Sequence, residues 1–184
     1  MSDTLVLTKP IGSGIITTAG KHQQVEPGVL AGAVHTMSTL NHGAADAIVK
    51  IGVNACVDIT GYGLVGHLLG MLQASGVSAN ISVGAVPLLD GVRELAHLGL
   101  VPGGTRSNLA FADPQVIWHP SLNEIDKLLM CDAQTSGGLL VSVPKDRVNL
   151  LLKEFCQRGV ETTAIIGEVL APGSLEDQLI RVTP

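Results

Sequence analysis

The 184-residue sequence is poor in aromatic and charged side chains, which make up 2% and 15% of it. The net charge is −5, and no block of lysine or arginine offers the basic surface that nucleic acid requires. No apolar run of eighteen residues is free of charge or glycine, which argues against a membrane span. The opening Met-Ser-Asp-Thr lacks the basic and apolar segments of a secretory signal. We therefore expect a cytoplasmic protein that binds neither nucleic acid nor membrane.

Cysteine is scarce as well. Cys56, Cys131 and Cys156 lie far apart and have apolar neighbours, so we expect small buried hydrophobic side chains and neither a disulfide nor a zinc site. Hydrophobic residues make up 46% of the chain, which is enough to bury a core. Length and composition predict one domain over residues 1–184, in which residues 1–25 could form an N-terminal strand and arm.

Alternating strand and helix patterns predict an α+β fold, with a mixed β-sheet layered with helices. The strongest strand patterns lie at residues 5–8, 55–59, 139–143, 163–169 and 179–182. Apolar spacing predicts a helical face along residues 37–51. Asp90 could cap another helix, and Ser121 and Glu124 have the spacing of a capping box. The glycines and proline of residues 101–108 predict an irregular loop.

One carboxylate has a distinctive position. Asp58 follows a short apolar strand and precedes a glycine turn, and residues 64–72 have the pattern of a helix that is apolar nearly all round. Backbone N–H groups at such a turn favour anionic groups. A carboxylate there can hold a cation against phosphate oxygens, although Asp58 could equally be a cap or a turn former.

Two familiar nucleotide motifs are approximated but not matched. Gly61, Gly63 and Gly66 fit G-x-G-x-x-G, but the next acidic residue is Asp90, which follows a proline instead of ending a second strand. Residues 14–22 resemble a Walker A loop with one residue too many and His22 in place of serine or threonine. We therefore expect neither a dinucleotide fold nor a Walker A site.

Three polar glycine loops remain, at residues 58–63, 103–108 and 132–138. Glycine allows a ligand to approach the backbone, so three such loops together favour one anion-binding cleft. Lys9 is either a phosphate contact or a solvated strand end, and His67 fits a hydrogen-bonded core histidine. The candidate phosphate-facing residues are Lys9, Thr60, Gly61, Thr105, Asn108, Asp132, Thr135, Ser136, Gly137 and Gly138.

Four segments together carry a family resemblance: LTKPIGSG at residues 7–14, DITGYGLVGH at 58–67, PGGT at 102–105 with Asn108, and CDAQTSGG at 131–138. In this order and at these intervals they resemble the C-terminal domain of selenophosphate synthetase, also called selenide, water dikinase. The resemblance covers nearly the whole chain. It implies the α+β C-terminal-domain fold of the aminoimidazole ribonucleotide synthetase superfamily.

The resemblance also implies a reaction in which ATP, selenide and water give selenophosphate, AMP and phosphate with Mg²⁺. It makes Asp58 the magnesium ligand of this half, with Thr60 and Gly61 as its neighbours. The family's reactive cysteine or selenocysteine, its lysine and its ATP-binding, dimerising N-terminal domain have no counterpart in these residues. We therefore expect no catalytic residue here, an inactive isolated chain, and a homodimer in the full-length protein.

Two other interpretations remain open. The chain could be a non-catalytic binding or regulatory module of the same fold that docks on a partner enzyme. It could also belong to a paralogous ATP-dependent enzyme that acts on another phosphoryl acceptor, since the Thr-Ser-Gly-Gly stretch at 135–138 does not specify selenide.

Overall fold

The computed structural model describes residues 2–184, which form a seven-stranded mixed sheet flanked by helices. The strands are β1 (Asp3–Leu7), β2 (Ala55–Asp58), β3 (Ser78–Ser82), β4 (Val116–Trp118), β5 (Leu139–Pro144), β6 (Ala164–Leu170) and β7 (Ile180–Thr183). The helices are α1 (Ser13–Lys21), α2 (Pro27–Ser38), α3 (His42–Ile51), α4 (Gly63–Ser75), α5 (Val92–His97), α6 (Gly103–Ala112), α7 (Glu124–Met130) and α8 (Val148–Gln157). The predicted α+β class is confirmed.

The strand order is β2-β5-β1-β6-β3-β7-β4. The pairs among β2, β5, β1, β6 and β3 are antiparallel, whereas β7 runs parallel to both β3 and β4. β2 is therefore an edge strand, paired on one side with β5. In the register of that pair Asp58 lies opposite Leu139, at the end of the sheet where β1 also ends.

Period-two alternation divides the core between the two faces of the sheet. Leu5, Leu7 and Leu140 belong to a large core that includes residues of α1 and α4, whereas Val6 and Val141 belong to a smaller core with α3 and α8. Both faces of β1 and β5 are thus covered, which explains the uninterrupted apolar runs at residues 5–7 and 139–141. The ends of these central strands are held rigidly, and the candidate loops begin there.

The helical face predicted along residues 37–51 is split in the structure. α2 ends at Ser38, Thr39 is extended, and α3 begins at His42. The ammonium of Lys9 donates to the carbonyl oxygen of Thr39 over 2.6 Å, and this bond stabilises the extended segment between the two helices. Leu40, assigned to the apolar face by its spacing, is 82% exposed as a result.

The prediction of an irregular loop at residues 101–108 is wrong, because α6 begins at Gly103. Its two glycines lie exposed in the first turn, where a low helix propensity is least costly. Inside the helix, Thr105 is fully buried and hydrogen-bonded to a distant part of the chain. Tertiary contact therefore stabilises a helix that local propensity does not favour.

Two predicted caps are displaced by one or two residues. The capping box of α7 is formed by Asn123 and Asp126, since Ser121 instead bonds the ring of His119. The residue that caps α5 is Gly91, in a left-handed conformation, and not Asp90. Neither change moves a helix away from its predicted part of the chain.

The cysteines behave differently from one another. Cys131 is buried as expected, and burial, reinforced by the nearby charges of Asp113 and Asp132, raises the pKa of its thiol to about 12. Cys56 and Cys156 are exposed, so the expectation of burial is wrong for these two. Their strand and helix each turn that position toward the surface.

Across residues 2–184, every helix is too short or too polar to cross a membrane.

Candidate functional site

Asp58 and Thr60 lie on the same face of the chain at the end of β2. Asp58 is exposed, Ile59 is fully buried and Thr60 is half-buried, which is the alternation of an extended strand. Within residues 2–184 the carboxylate of Asp58 has no hydrogen bond or ion pair. It therefore faces solvent without a partner, on the same side of the chain as Thr60.

A tight turn joins this strand end to α4. The N–H groups of Gly63 and Gln134 both donate to the carbonyl oxygen of Thr60, over 3.0 and 2.9 Å. Gly63 has φ +70°, and a Cβ there would lie 2.6 Å from the backbone of Cys131. Only glycine tolerates this conformation together with this close approach. The turn is thus fixed against the loop of residues 131–138, called here the 131–138 loop.

Asp132 is the centre of the 131–138 loop and is fully buried. Its carboxylate accepts hydrogen bonds from the N–H groups of Gly14 and Ile15, from the hydroxyl of Thr105 at 2.8 Å and from the amide of Gln134 at 3.0 Å. The first two bonds cap the N-terminus of α1, where the helix dipole favours a negative charge. Burial nevertheless raises the pKa of this carboxyl to about 6, and the four hydrogen bonds oppose that rise.

Gln134 completes the same polar layer. Its side-chain oxygen accepts from the N–H groups of Gly12 and Ser13 and from the hydroxyl of Ser13, over 3.0 to 3.1 Å. The Ser13 hydroxyl in turn accepts from the N–H of Thr135. Gln134 and Ser13 build the site but were not among the predicted site residues, although both lie inside the segments that carry the resemblance.

Lys9 is also turned inward, at 6% exposure. Its ammonium donates to the carbonyl oxygens of Thr39 and Ser136, over 2.6 and 2.9 Å, and burial lowers its pKa. Lys9 thus joins the end of α2 to the 131–138 loop and is neither a solvated strand end nor a free phosphate contact in this structure. Ser136 itself has φ +47°, a left-handed conformation that this backbone contact helps to hold.

The structure brings all the predicted residues together at one end of the sheet but divides them into two groups. Asn108 joins the glycine turn after β2 to the 131–138 loop, since its amide donates to the carbonyl oxygens of Gly61 and Cys131. The surface group, exposed or half-buried, consists of Asp58, Thr60, Gly61, Asn108, Thr135 and Ser136. The buried group consists of Lys9, Thr105, Asp132, Gly137 and Gly138.

The buried group supports the surface group and does not itself present polar atoms to solvent. A Cβ on Gly137 would overlap the carbonyl oxygen of Ile59, and one on Gly138 would lie 2.6 Å from the backbone nitrogen of Lys9. By contrast, a Cβ on Gly61 would meet open space. Lys9, Thr105, Asp132, Gly137 and Gly138 therefore hold the loops in place in this structure, and a direct phosphate contact by any of them stays a prediction.

The donor set at the surface suits a hard divalent cation but is incomplete. In residues 2–184 no group of three or more His, Cys, Asp or Glu side chains could hold a metal ion. Asp58 supplies one carboxylate and Thr60 one hydroxyl oxygen. Mg²⁺ is commonly held by one or two carboxylates, with waters and substrate phosphates completing the shell, so these residues fit part of such a site.

A groove of about 660 Å³ lies beside this site, between the outer edge of β2 and α4. Tyr62 and Phe111 line it and are 65% and 61% exposed, in a chain that has only four aromatic residues. His67 lies in the same wall, where burial lowers its pKa although the charge of Asp58 opposes the shift. The groove thus presents apolar and aromatic surface next to a free carboxylate.

Residues 2–180 match the family model described as AIR synthase related protein, C-terminal domain. The selenide, water dikinase of Myxococcus xanthus is 44% identical over 171 residues, which cover 92% of this chain and 48% of that protein. The selenide, water dikinase of Aliarcobacter butzleri is 40% identical, over 90% of this chain and 48% of its own length. The chain thus spans about half the length of the curated relatives it matches.

Solved structures with the same fold are more distant in sequence. Hydrogenase maturation protein HypE of E. coli superposes with a TM-score of 0.67 at 18% identity, over 98% of this chain and 46% of that one. Thiamine monophosphate kinase of Aquifex aeolicus gives 0.59 at 18% identity, over 98% and 49%. At this identity the two structures show the shared fold alone. With the sequence relatives, they confirm the resemblance indicated by the four segments.

Proposed function

Because this chain belongs to the AIR synthase related protein, C-terminal domain, family, we propose that it is the C-terminal half of an ATP-dependent selenophosphate synthetase. In that reaction ATP, selenide and water give selenophosphate, AMP and phosphate. The chain would supply one wall of the cleft that holds the phosphates. The remaining wall, with the nucleophile and the ATP-binding residues, would come from an N-terminal half of the kind that makes the relatives twice as long.

A single observation carries the proposal: the carboxylate of Asp58 is exposed and unpaired at the end of a rigid strand. An unpaired surface carboxylate contributes little to folding, whereas the neighbouring carbonyl oxygens of Thr60 and Gly61 are hydrogen-bonded. A free acid at the rim of a built loop cluster is available for a ligand. Asp58 would hold Mg²⁺, which neutralises phosphate charge when it is bound.

Each residue of the surface group would have a role in binding phosphate or the cation. Gly61 leaves room for a ligand beside the backbone, and Thr60 offers a hydroxyl on the same face as Asp58. Thr135 and Ser136 offer two exposed hydroxyls on the neighbouring loop. The hydroxyls of Thr135 and Ser136 would donate to phosphate oxygens, whereas Thr60 would offer its oxygen to the cation. Such positioning is most of what a phosphoryl-transfer site requires of the protein. A solved structure of HypE with ATP, at TM-score 0.61, supports nucleotide binding by this fold.

The same geometry explains why we expect the isolated chain to be inactive. Asp58 is negative and the ammonium of Lys9 is buried behind the loop, so none of the predicted site residues at this surface carries a positive charge. A triphosphate would meet one wall that offers a single metal ligand. We propose that such an N-terminal half would pack against the groove, where the aromatic rings of Tyr62 and Phe111 are exposed.

The experiment is reconstitution. The chain is mixed with the separately produced N-terminal half of the Myxococcus xanthus relative, and selenide-dependent AMP formation is measured. We expect activity only in the mixture, and a loss of about a hundredfold or more for Asp58→Asn, because a metal-holding carboxylate supplies several kcal/mol. Asp90→Asn, at an exposed aspartate far from the site in sequence, is the matched control and should retain activity. Full activity of Asp58→Asn would remove Asp58 from the metal site.

A further inference from the structure

His67 reaches back from the second turn of α4 to the strand end where Asp58 and Thr60 lie. Its Nε2 is 3.0 Å from Oγ1 of Thr60, and its ring meets that of Tyr62 edge-on with centroids 5.7 Å apart. Side chains on a helix point toward its N-terminus, so a residue at this position of α4 is directed at the turn that precedes the helix. The ring is therefore held on one side by an aromatic neighbour and on the other by a hydroxyl.

The backbone of Thr60 is already fixed by hydrogen bonds. The carbonyl oxygen of Thr60 accepts from Gly63 and Gln134, so the rotation about χ1 and the direction of the O–H bond are what remains to be set. Without a fixed partner, the hydroxyl proton would be free to point toward the Asp58 side of the turn. A hydroxyl whose proton is given to the imidazole instead presents only its lone pairs outward.

We propose that His67 is a positioning residue: its Nε2 accepts the Thr60 hydroxyl proton, so that Oγ1 of Thr60 faces the Asp58 side of the turn as an oxygen acceptor for a divalent cation or its bound water. This inference rests on the proposed function, since it assigns a supporting residue to the same site. It gives His67 a role beyond that of the hydrogen-bonded core histidine predicted from its sequence position. Asp58 supplies charge, Thr60 supplies a neutral oxygen, and His67 fixes the direction of that oxygen.

The arrangement predicts a specific tautomer. With Nε2 as an acceptor, the proton of the neutral ring resides on Nδ1. Long-range ¹H–¹⁵N NMR correlations of the full chain at about pH 8, above the ordinary histidine pKa, distinguish the two tautomers directly. We expect the Nδ1–H form for His67. Finding the proton on Nε2 would overturn the proposal, because the histidine would then donate to Thr60.

The functional test uses Mn²⁺ as the probe and paramagnetic broadening of the backbone amides near Asp58 as the readout. We expect His67→Leu to weaken the apparent Mn²⁺ affinity about threefold to tenfold, the effect of one lost hydrogen bond, and His67→Gln, which keeps an acceptor, to retain most of it. His97→Leu, at an exposed histidine, is the matched control. In a Thr60→Val background His67→Leu should have no further effect. A packing role alone would predict equal losses in both backgrounds.

The outcomes separate this inference from the proposed function. If Asp58→Asn leaves the broadening unchanged, the metal assignment itself fails. If Asp58→Asn abolishes it while His67→Leu binds Mn²⁺ like the wild type, only the role of His67 is refuted. Thermal unfolding of each variant, followed by circular dichroism, identifies any loss of affinity that comes from unfolding, and such a loss counts against the positioning role.

Discussion

Replacing Gln134 by glutamate would change one buried donor into an acceptor with almost no change in shape. In the wild type the amide nitrogen of Gln134 donates to the carbonyl oxygen of Asp132 at 2.7 Å and to its carboxylate at 3.0 Å. The other side-chain atom, an oxygen, accepts three bonds from Gly12 and Ser13 and would be unaffected. Gln134→Glu therefore tests the buried polar layer at a single atom.

The cost follows from the pKa values. Two full charges 3.0 Å apart would repel by about 5 kcal/mol at an effective dielectric constant of about 20. The pair avoids this repulsion by keeping one proton, which then bridges the two carboxyls. In the unfolded chain the introduced glutamate would titrate near a pKa of about 4.3, so holding the proton costs about 1.4 kcal/mol for each pH unit above that value. Wild-type Asp132 already holds its own proton below a pKa of about 6, so the destabilisation relative to the wild type should grow only above about pH 6 and increase by about 2 kcal/mol by about pH 7.3.

The sign is opposite to that of an ordinary surface carboxylate. The native variant binds one more proton than the unfolded chain above about pH 4.3, so its stability falls as the pH rises. Urea unfolding between about pH 5 and about pH 8, followed by the fluorescence of the single tryptophan, measures the difference from the wild type. Gln24→Glu, at an exposed glutamine, should change stability by less than about 0.5 kcal/mol at every pH. A Gln134→Glu penalty that stays constant between about pH 6 and about pH 8 would refute the reasoning.

Three further measurements test the loop cluster. Gly137→Ala should destabilise the chain by about 1–3 kcal/mol in urea unfolding, because the added Cβ overlaps the backbone of Ile59, whereas Gly103→Ala, in open space in the first turn of α6, should be neutral or slightly stabilising. Because the native pKa of the Asp132 carboxyl is about 6, the free energy of unfolding of the wild type should fall by about 2–3 kcal/mol as the pH rises from about 4 to about 6. Asp132→Asn should lack this fall. A thiol reagent should label two of the three cysteines in the native chain and the third only on unfolding, since Cys131 is buried.

Most of the strands and most of the helices could be predicted because their signals are local. β1 and β5 are short continuous apolar runs, and α8 has apolar residues at helical spacing. α6 could not be predicted, because its stability comes from the buried bond between Thr105 and Asp132, which are 27 residues apart. The break between α2 and α3 could not be predicted either, since the contact that holds it comes from Lys9, 30 residues away.

The candidate site, too, could be predicted only in part. Residue type and spacing identified which loops meet, and the predicted residues of all three loops do meet at one end of the sheet. They did not reveal which polar side chains point inward. Asp58 and Asp132 each adjoin a glycine-rich turn, yet one is exposed and the other is fully buried with four donors on its carboxylate. Whether an aspartate binds a ligand or caps a helix depends on α1, which the sequence patterns did not predict.

The buried Asp132 and the exposed Asp58 are connected through a chain of hydrogen bonds and backbone. Asp132 binds the N-terminus of α1 and the hydroxyl of Thr105, so the 131–138 loop is fixed from two sides. The loop in turn fixes the turn at Thr60 through the N–H of Gln134. Because Thr60 is two residues from Asp58, we expect the backbone that carries the exposed carboxylate to depend on this buried polar layer. A variant of Asp132 that still folds should therefore shift the Asp58 amide environment before any ligand is added, which ¹⁵N chemical shifts of residues 58–61 would reveal.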